Sequence, residues 1–373
     1  MKNLIVLLLI SLLINSFYCS FQSKLFNRMN KKKIGENLII SPLSIYQALS
    51  LTANGAKKDT LSEMLELLEA SSLDELNQMN YKILSILKEF STIDIANAVM
   101  SKFTPLADFV EVAEKYLALV DELKSVEQVN KWCSEKTHGK INNIISRIDS
   151  VMIILNAVYF KDEWYSKFRD DSTLNLPFYN LGKNEKRVET MTQIDSFSYY
   201  EDKKVQAISL GFSHDDMSAI IILPAKGIDI NKYIDTLSNS NNEYNKIING
   251  FKYVKVNLEL PKFEVNFSEN LNQILMNLGL NNAFDSEKAD FTGIRKEGEL
   301  YIGEVIHKTY LKINEQGTEA AAITEVIIYE TSTGEPEQIY DMIVNRPFLF
   351  LLRNSKLPAG YDLLFMSKIE KIE

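Results

Sequence analysis

Few residues in this chain are of a type and spacing that could carry out catalysis. Its 373 residues include only three histidines, His138, His214 and His307, and two cysteines, Cys19 and Cys133. None belongs to a G-x-S-x-G elbow, an H-E-x-x-H helix, a C-x-x-C pair or a Gly-rich phosphate loop. Those are the arrangements that activate a serine, bind zinc, exchange thiols or cradle a nucleotide. A catalytic triad would have to borrow one of the three histidines, and paired acids such as Glu335 and Glu337 are most simply solvated loop charge. Cys133, beside Trp132 in a helical stretch, reads as a packed or half-exposed thiol rather than a nucleophile.

One stretch near the C-terminus stands out instead. Asn314 to Pro347, NEQGTEAAAITEVIIYETSTGEPEQIYDMIVNRP, opens with a Gly-Thr turn, runs through small and β-branched residues, and becomes polar around Thr333 to Glu337. Read with period two, Thr318, Ala320, Ala322, Thr324, Val326 and Ile328 form an uncharged face, with Glu319 and Glu325 on the other. Such a segment can be buried as a strand. Its Thr, Ser, Gly and Pro-rich end has instead the composition of an exposed tip that proteases reach. A short helix capped by Thr318 is the competing reading, and local propensity does not choose between them.

The elements that must position this stretch are those of one large domain. No Pro, Gly or Ser-rich linker divides the chain, and a 46% apolar share with 24% charged residues suits a substantial core. A formal net charge of -9 opposes nucleic-acid binding, and the one basic run, Lys31-Lys32-Lys33, reads as a solvated loop after a first helix. The N-terminus has a single Lys and then an uncharged apolar run from Leu4 to Ile14. That is a signal-peptide pattern, well short of the roughly 20 residues of a membrane span. The competing reading is an apolar first helix of a cytoplasmic protein. Asn266-Phe267-Ser268 is the one glycosylation sequon. Phe21 onward has amphipathic helical spacing, Ser41-Pro42 marks a helix start with Ser41 as N-cap, and Val151 to Val158 is a buried central strand.

Glu315-Gln316-Gly317-Thr318-Glu319-Ala320-Ala321-Ala322 resembles the hinge of the reactive-centre loop of serpins, the serine protease inhibitor family. Asn345-Arg346-Pro347-Phe348 resembles the strand that follows that loop. Further resemblances are Asn37 to Ile45, Val129 to Trp132, Asn156 to Lys161 with Trp164 and Phe168, Leu258 to Phe263, and Val305 to Lys308. Departures are Ile39 where Phe is common, Leu210-Gly211-Phe212, Ser367, and a shortened connection from Tyr116 to Asn130 that puts a strand there in doubt. The resemblance covers about Phe21 to Ile369.

It implies a mixed α/β (α+β) serpin fold with three β-sheets, about eight or nine helices and an exposed reactive-centre loop. Residues 1–19 would be the signal peptide and 20–373 a single serpin domain, with the loop at about 315–340. The implied activity is suicide inhibition of a serine protease; a non-inhibitory carrier, chaperone or storage role and inhibition of cysteine proteases are the alternatives. Hinge residues would be Glu315, Gly317, Thr318, Ala320, Ala321 and Ala322. Ser41, Ser44, Asn156 and His307 would form the gate of the main sheet, and Trp164 and Lys262 would stand where the loop enters, with Glu315 paired to Lys262. Counting from Gly317 puts the reactive bond at Thr331-Ser332, with Tyr329 and Glu330 as alternatives. No Arg or Lys lies between Gly317 and Asn345, so the expected partner is elastase-like or chymotrypsin-like, cathepsin G-like enzymes included. No cofactor, metal, nucleic acid or membrane is expected, and Leu73 to Phe90 lacks the basic face of heparin-activated relatives. The expected species is a secreted monomer.

Overall fold

The computed structural model describes residues 21–239, 243–297, 299–318 and 338–373. The first half of the chain gives α1 (Phe21–Lys32), β1 (Leu38–Ile40), α2 (Pro42–Ala53), α3 (Lys58–Leu67), α4 (Leu73–Leu87), β2 (Ile93–Ser101), α5 (Ala107–Lys115), β3 (Leu119–Glu122), α6 (Val126–Lys136) and β4 (Met152–Phe160). Then follow β5 (Thr173–Asn180), β6 (Asn184–Glu201), β7 (Val205–Gly211), β8 (Met217–Pro224), α7 (Ile230–Asn239), α8 (Glu243–Gly250), β9 (Lys252–Pro261), β10 (Phe263–Asn270) and α9 (Asn272–Asn277). The chain closes with β11 (Glu304–Ile313), β12 (Tyr340–Ile343), β13 (Phe348–Asn354) and β14 (Leu363–Ile369).

Local chemistry sets several of these boundaries. Ser72 and Ser125 cap α4 and α6 by accepting the N–H of Glu75 and Gln128. Past the end of α6, His138 and Gly139 take positive φ, and the Gly139 N–H returns to Ser134 O at 2.8 Å. Pro42 opens α2 where its missing N–H is harmless, but Ser41, the expected N-cap, makes no side-chain cap bond. All twelve residues of α2 are buried, which makes it the helix about which the core is packed.

The strands form a five-stranded sheet in the order β10-β11-β4-β2-β3 and a nine-stranded one in the order β1-β14-β13-β8-β7-β6-β9-β12, with β5 beside β6. Among the described residues there are thus two hydrogen-bonded networks where three sheets were expected. The reason is β6, whose eighteen residues serve both halves of the larger network. Its early part up to Met191 pairs with β5 and its end, Ser198 to Glu201, pairs with β7. The shortened connection after Tyr116 still contains β3, which runs parallel to β2.

Alternation along β4 divides the core. Met152, Ile154, Val158 and Phe160 face the larger cluster, with α2 and the nine-stranded sheet. Ile153, Leu155 and Ala157 face a smaller cluster with Val129, Trp132 and Cys133 of α6. The five-stranded sheet is therefore covered on both faces, which is why all nine residues of β4 are buried and read as one apolar run. The basic run is no solvated loop. Lys31 and Lys32 lie in the last turn of α1, where cations suit the helix end, and Lys31 meets Asp235 at 3.2 Å while Lys32 and Lys33 reach Glu269 at 2.6 and 3.2 Å.

Candidate functional site

The middle of the five-stranded sheet is a parallel pair, β4 with β11, in register from Ile153 opposite Glu304 to Val158 opposite Thr309. Beyond that point, Tyr310 to Ile313 run on without a β4 partner in register. β11 then reverses tightly: the Asn314 N–H donates to Gly317 O at 3.0 Å and the Gly317 N–H to Asn314 O at 3.2 Å. The returning backbone pairs with the segment after β4. Gly317 opposes Glu163 in an antiparallel bridge, the Trp164 N–H donates to Gln316 O at 2.9 Å, and the Thr318 N–H donates to Asp162 O at 2.9 Å.

Gly317 has φ +136°, and a Cβ there would lie 2.3 Å from Asp162 O, so only glycine permits this approach. Thr318 is fully buried, and its hydroxyl accepts the Asp162 N–H at 2.7 Å. That is the donor an advancing antiparallel strand would give to the Thr318 carbonyl. Trp164 holds the same turn by donating from Nε1 to Asn314 O at 2.9 Å, and its ring stacks on Phe212 at 4.5 Å.

Glu315 and Lys262, expected to pair, are 3.2 Å apart. Lys262 also reaches Glu189 at 3.3 Å, and Thr173 Oγ1 donates to Glu315 Oε1 at 2.6 Å. Burial alone would raise the Glu315 carboxyl, but the Thr173 hydroxyl, a backbone donor and Lys262 outweigh it and hold it below its ordinary value. Lys262 is the mirror case: burial pushes it down, and the hydrogen bonds and charges of Glu315 and Glu189 carry it above its usual range.

Lower in the pair lies a buried polar cluster. Asn97, Asn156 and His307 stand in register across β2, β4 and β11. The Ser41 N–H donates to His307 Nε2 at 3.1 Å, which places the ring proton on Nδ1 facing Asn156 Oδ1 at 2.5 Å. Ser44 Oγ donates to the same Oδ1 at 2.8 Å, Asn156 Nδ2 donates to Asn97 Oδ1, and Thr309 Oγ1 donates to Ile39 O at 3.1 Å. Full burial pushes the His307 pKa down to about 3, so the ring is neutral. The four residues named from the sequence are thus brought together. Asn97 and Thr309 complete the group, and neither is among the gate residues that the resemblance implies.

His138 and His214 lie elsewhere, against Asp94 at 2.8 Å and Asp162 at 3.0 Å. Cys133 is buried, and that burial pushes its thiol up to about 12, which suits a packed residue. Asn266 and Ser268 are exposed on β10, an edge strand. Ala320, Ala321, Ala322, Tyr329, Glu330, Thr331 and Ser332 lie outside the described residues, as does the N-terminal apolar run. Among the described residues no group of three or more His, Cys, Asp or Glu is placed to hold a metal, and no helix is long and apolar enough to cross a membrane.

A sheet whose two central strands part at the top, with a tight reversal docked in the gap, defines a class. The family model described as Serpin (serine protease inhibitor) matches residues 17–372, and the chain belongs to that family. It is a protease inhibitor by family and not an enzyme. It is 30% identical to the leukocyte elastase inhibitor of Xenopus laevis over 92% of this chain and 95% of that protein. It is 32% identical to Serpin B11 of Homo sapiens, over 88% and 93%. Among solved structures it resembles the native state of the thermophilic serpin tengpin at 31% identity and a TM-score of 0.85, covering 97% of this chain and 94% of that one.

Proposed function

We propose that this chain is a suicide inhibitor of a serine protease that traps the acyl-enzyme by inserting its cleaved loop between β4 and β11. The observation that carries this reading is Thr318, buried at the mouth of that gap with its first backbone bond to Asp162 already made. Extending the register of Gly317 opposite both Glu163 and Asn314 gives the strand its path. Ala320 would come to lie between Phe160 and Leu311, Ala322 between Val158 and Thr309, and Thr324 between Asn156 and His307. The uncharged face thus meets the larger core, and the Thr324 hydroxyl arrives where the Asn156–His307 contact must break.

About ten new backbone hydrogen bonds at about 1 kcal/mol each, with added apolar burial, supply on the order of 10 kcal/mol. The uncut protein is then a kinetically held state, and loop cleavage releases its strain, an event for which serpins are the general example.

For the target, the absence of Arg and Lys between Gly317 and Asn345 and the kinship with leukocyte elastase inhibitors both favour an elastase-like or chymotrypsin-like protease, cathepsin G-like enzymes among them. Thr331 suits a small pocket and Tyr329 a hydrophobic slot. The N-terminal apolar run favours secretion, with Asn266 then open to glycosylation, and the acting species is a monomer that needs no heparin.

The test is incubation with a panel of such proteases. A covalent band on a denaturing gel, a large rise in melting temperature after loop cleavage and a released peptide starting at Ser332 are expected. A peptide starting at Glu330 shifts the target to the chymotrypsin-like class. Cleavage with neither adduct nor stabilisation replaces this reading with a carrier, chaperone or storage role, and an adduct with cysteine proteases alone makes the trap cross-class.

A further inference from the structure

The hinge is docked on a short segment, Asp162 to Tyr165, that is itself tethered on its far edge. There the Ser213 N–H donates to Glu163 O at 2.7 Å and the Tyr165 N–H to Gly211 O at 2.9 Å, while Trp164 bridges Phe212. Asp162 is the residue common to both edges. Its backbone O and N–H hold Thr318, and its carboxylate, only 2% exposed, reaches the other way into the turn between β7 and β8. Three donors meet that carboxylate: Ser213 Oγ and the Glu163 N–H on Oδ1, and His214 Nδ1 on Oδ2 at 3.0 Å. His214 is half-exposed and packs edge-on to Phe90 at the end of α4. A buried charge is tolerated only when its geometry is held by such donors, so this one fixes the backbone that carries it.

We infer that Asp162 is a positioning residue for loop insertion, clamped by Ser213 and His214 so that its backbone offers Thr318 the first rung of the new strand. The inference rests on the trapping reading above. To advance, the Asp162 N–H must pass from the Thr318 hydroxyl to the Thr318 carbonyl. A rigid Asp162 makes that exchange a local rotation of one side chain. With the clamp removed, segment 162–164 moves with the hinge, the first step slows, and more acyl-enzyme hydrolyses before it is trapped. Attack on the loop is untouched, because the bait residues lie more than ten positions along the chain.

The experiment compares the wild-type chain with Asp162→Ala, Asp162→Asn, Ser213→Ala and His214→Ala. In Asp162→Ala the moles of inhibitor consumed per mole of protease trapped should rise roughly fivefold, with the rate of loop attack unchanged. Asp162→Asn, whose amide can still accept from Ser213 and donate to the His214 ring, should restore the wild-type ratio. The two turn variants, at exposed or half-exposed positions, should keep the fold intact and shift the ratio in the same sense. Amide exchange of residues 314–318, which needs no protease, should quicken about tenfold in Asp162→Ala. An unchanged ratio overturns the inference, and so does unchanged exchange across 314–318. A wild-type chain that traps no protease refutes the trapping reading instead, and the exchange result still decides whether Asp162 positions the hinge.

Discussion

His307 Nδ1 and Asn156 Oδ1 face each other at 2.5 Å across the parallel pair β11 and β4, with Ser41 and Ser44 closing the cluster from the start of α2. Every group here is neutral, and the ring accepts a backbone N–H through Nε2. Protonating it would place two N–H groups against each other in a fully buried site.

The pH dependence follows with a definite sign. His307 is held to about 3 in the folded state, against 6.5 for an ordinary histidine. Between those values the unfolded or opened chain binds the extra proton, so stability is complete above pH 6.5 and is lost as pH falls toward 3. At pH 5 the loss should be about 2 kcal/mol. Thermal melting between pH 7.5 and 4.5 should fall accordingly, and the slope over pH 5 to 6.5 should flatten in His307→Gln. An equal slope in that variant would assign the effect to other groups.

Reversing Glu315 should open the top of the sheet. Glu315→Lys puts a second cation where a carboxylate stands 3.2 Å from Lys262 and discards the Thr173 bond. The cost is on the order of 2 kcal/mol, with Glu315 buried and Lys262 reaching partly into solvent. Mild heating should then yield polymers by size-exclusion chromatography, through the freed gap accepting another molecule's loop. The double exchange Glu315→Lys with Lys262→Glu should return the monomer; a monomeric single variant with unchanged melting removes Glu315 from this role.

Gly317→Ala should separate loop cleavage from trapping. Its Cβ would meet Asp162 O, Glu163 Cα and Trp164 N, all backbone, at a φ unfavourable for alanine. The hinge must leave its dock, so cleavage by a target protease should proceed at the wild-type rate while the covalent band weakens by roughly tenfold. A band of wild-type intensity would show that docking before cleavage is dispensable.

Glu325 should act as a brake. The same register that carries Thr324 to His307 would bring Glu325 between Leu155 and Ile306, beneath Trp132 and Cys133 of α6. Burying its carboxylate there costs on the order of 3 kcal/mol, offset by Lys308 two residues along the same face of β11. Glu325→Ala should therefore raise the trapped fraction and lift the melting temperature of the cleaved form, read by gel densitometry and calorimetry. A lower melting temperature would mean that the Glu325–Lys308 attraction outweighs the burial.

The sequence by itself determined the uncharged period-two face from Thr318 to Ile328 and, through motifs of residue type at short spacing, a family resemblance that implies four members of the buried cluster but neither Asn97 nor Thr309. Gly317 before Thr318, Asn156 in an apolar strand and His307 amid β-branched neighbours are local signals of this kind. Tertiary structure decided what those residues touch. Ser41 reads as a helix cap by position, yet its N–H goes to a histidine 266 residues away and its hydroxyl makes no cap bond. Lys31 to Lys33 look like unpartnered loop charge until α1 packs beside Glu269 and Asp235. Asp162 carries no signal at all: one position past a recognisable motif, it acquires its role from Ser213, His214 and Thr318, which only the meeting of two sheets and a hinge can bring to one carboxylate and one peptide unit. Likewise, period two separates Glu325 from the uncharged face, but only the packing of α6 on the outer face of the five-stranded sheet turns that second face from solvent into core.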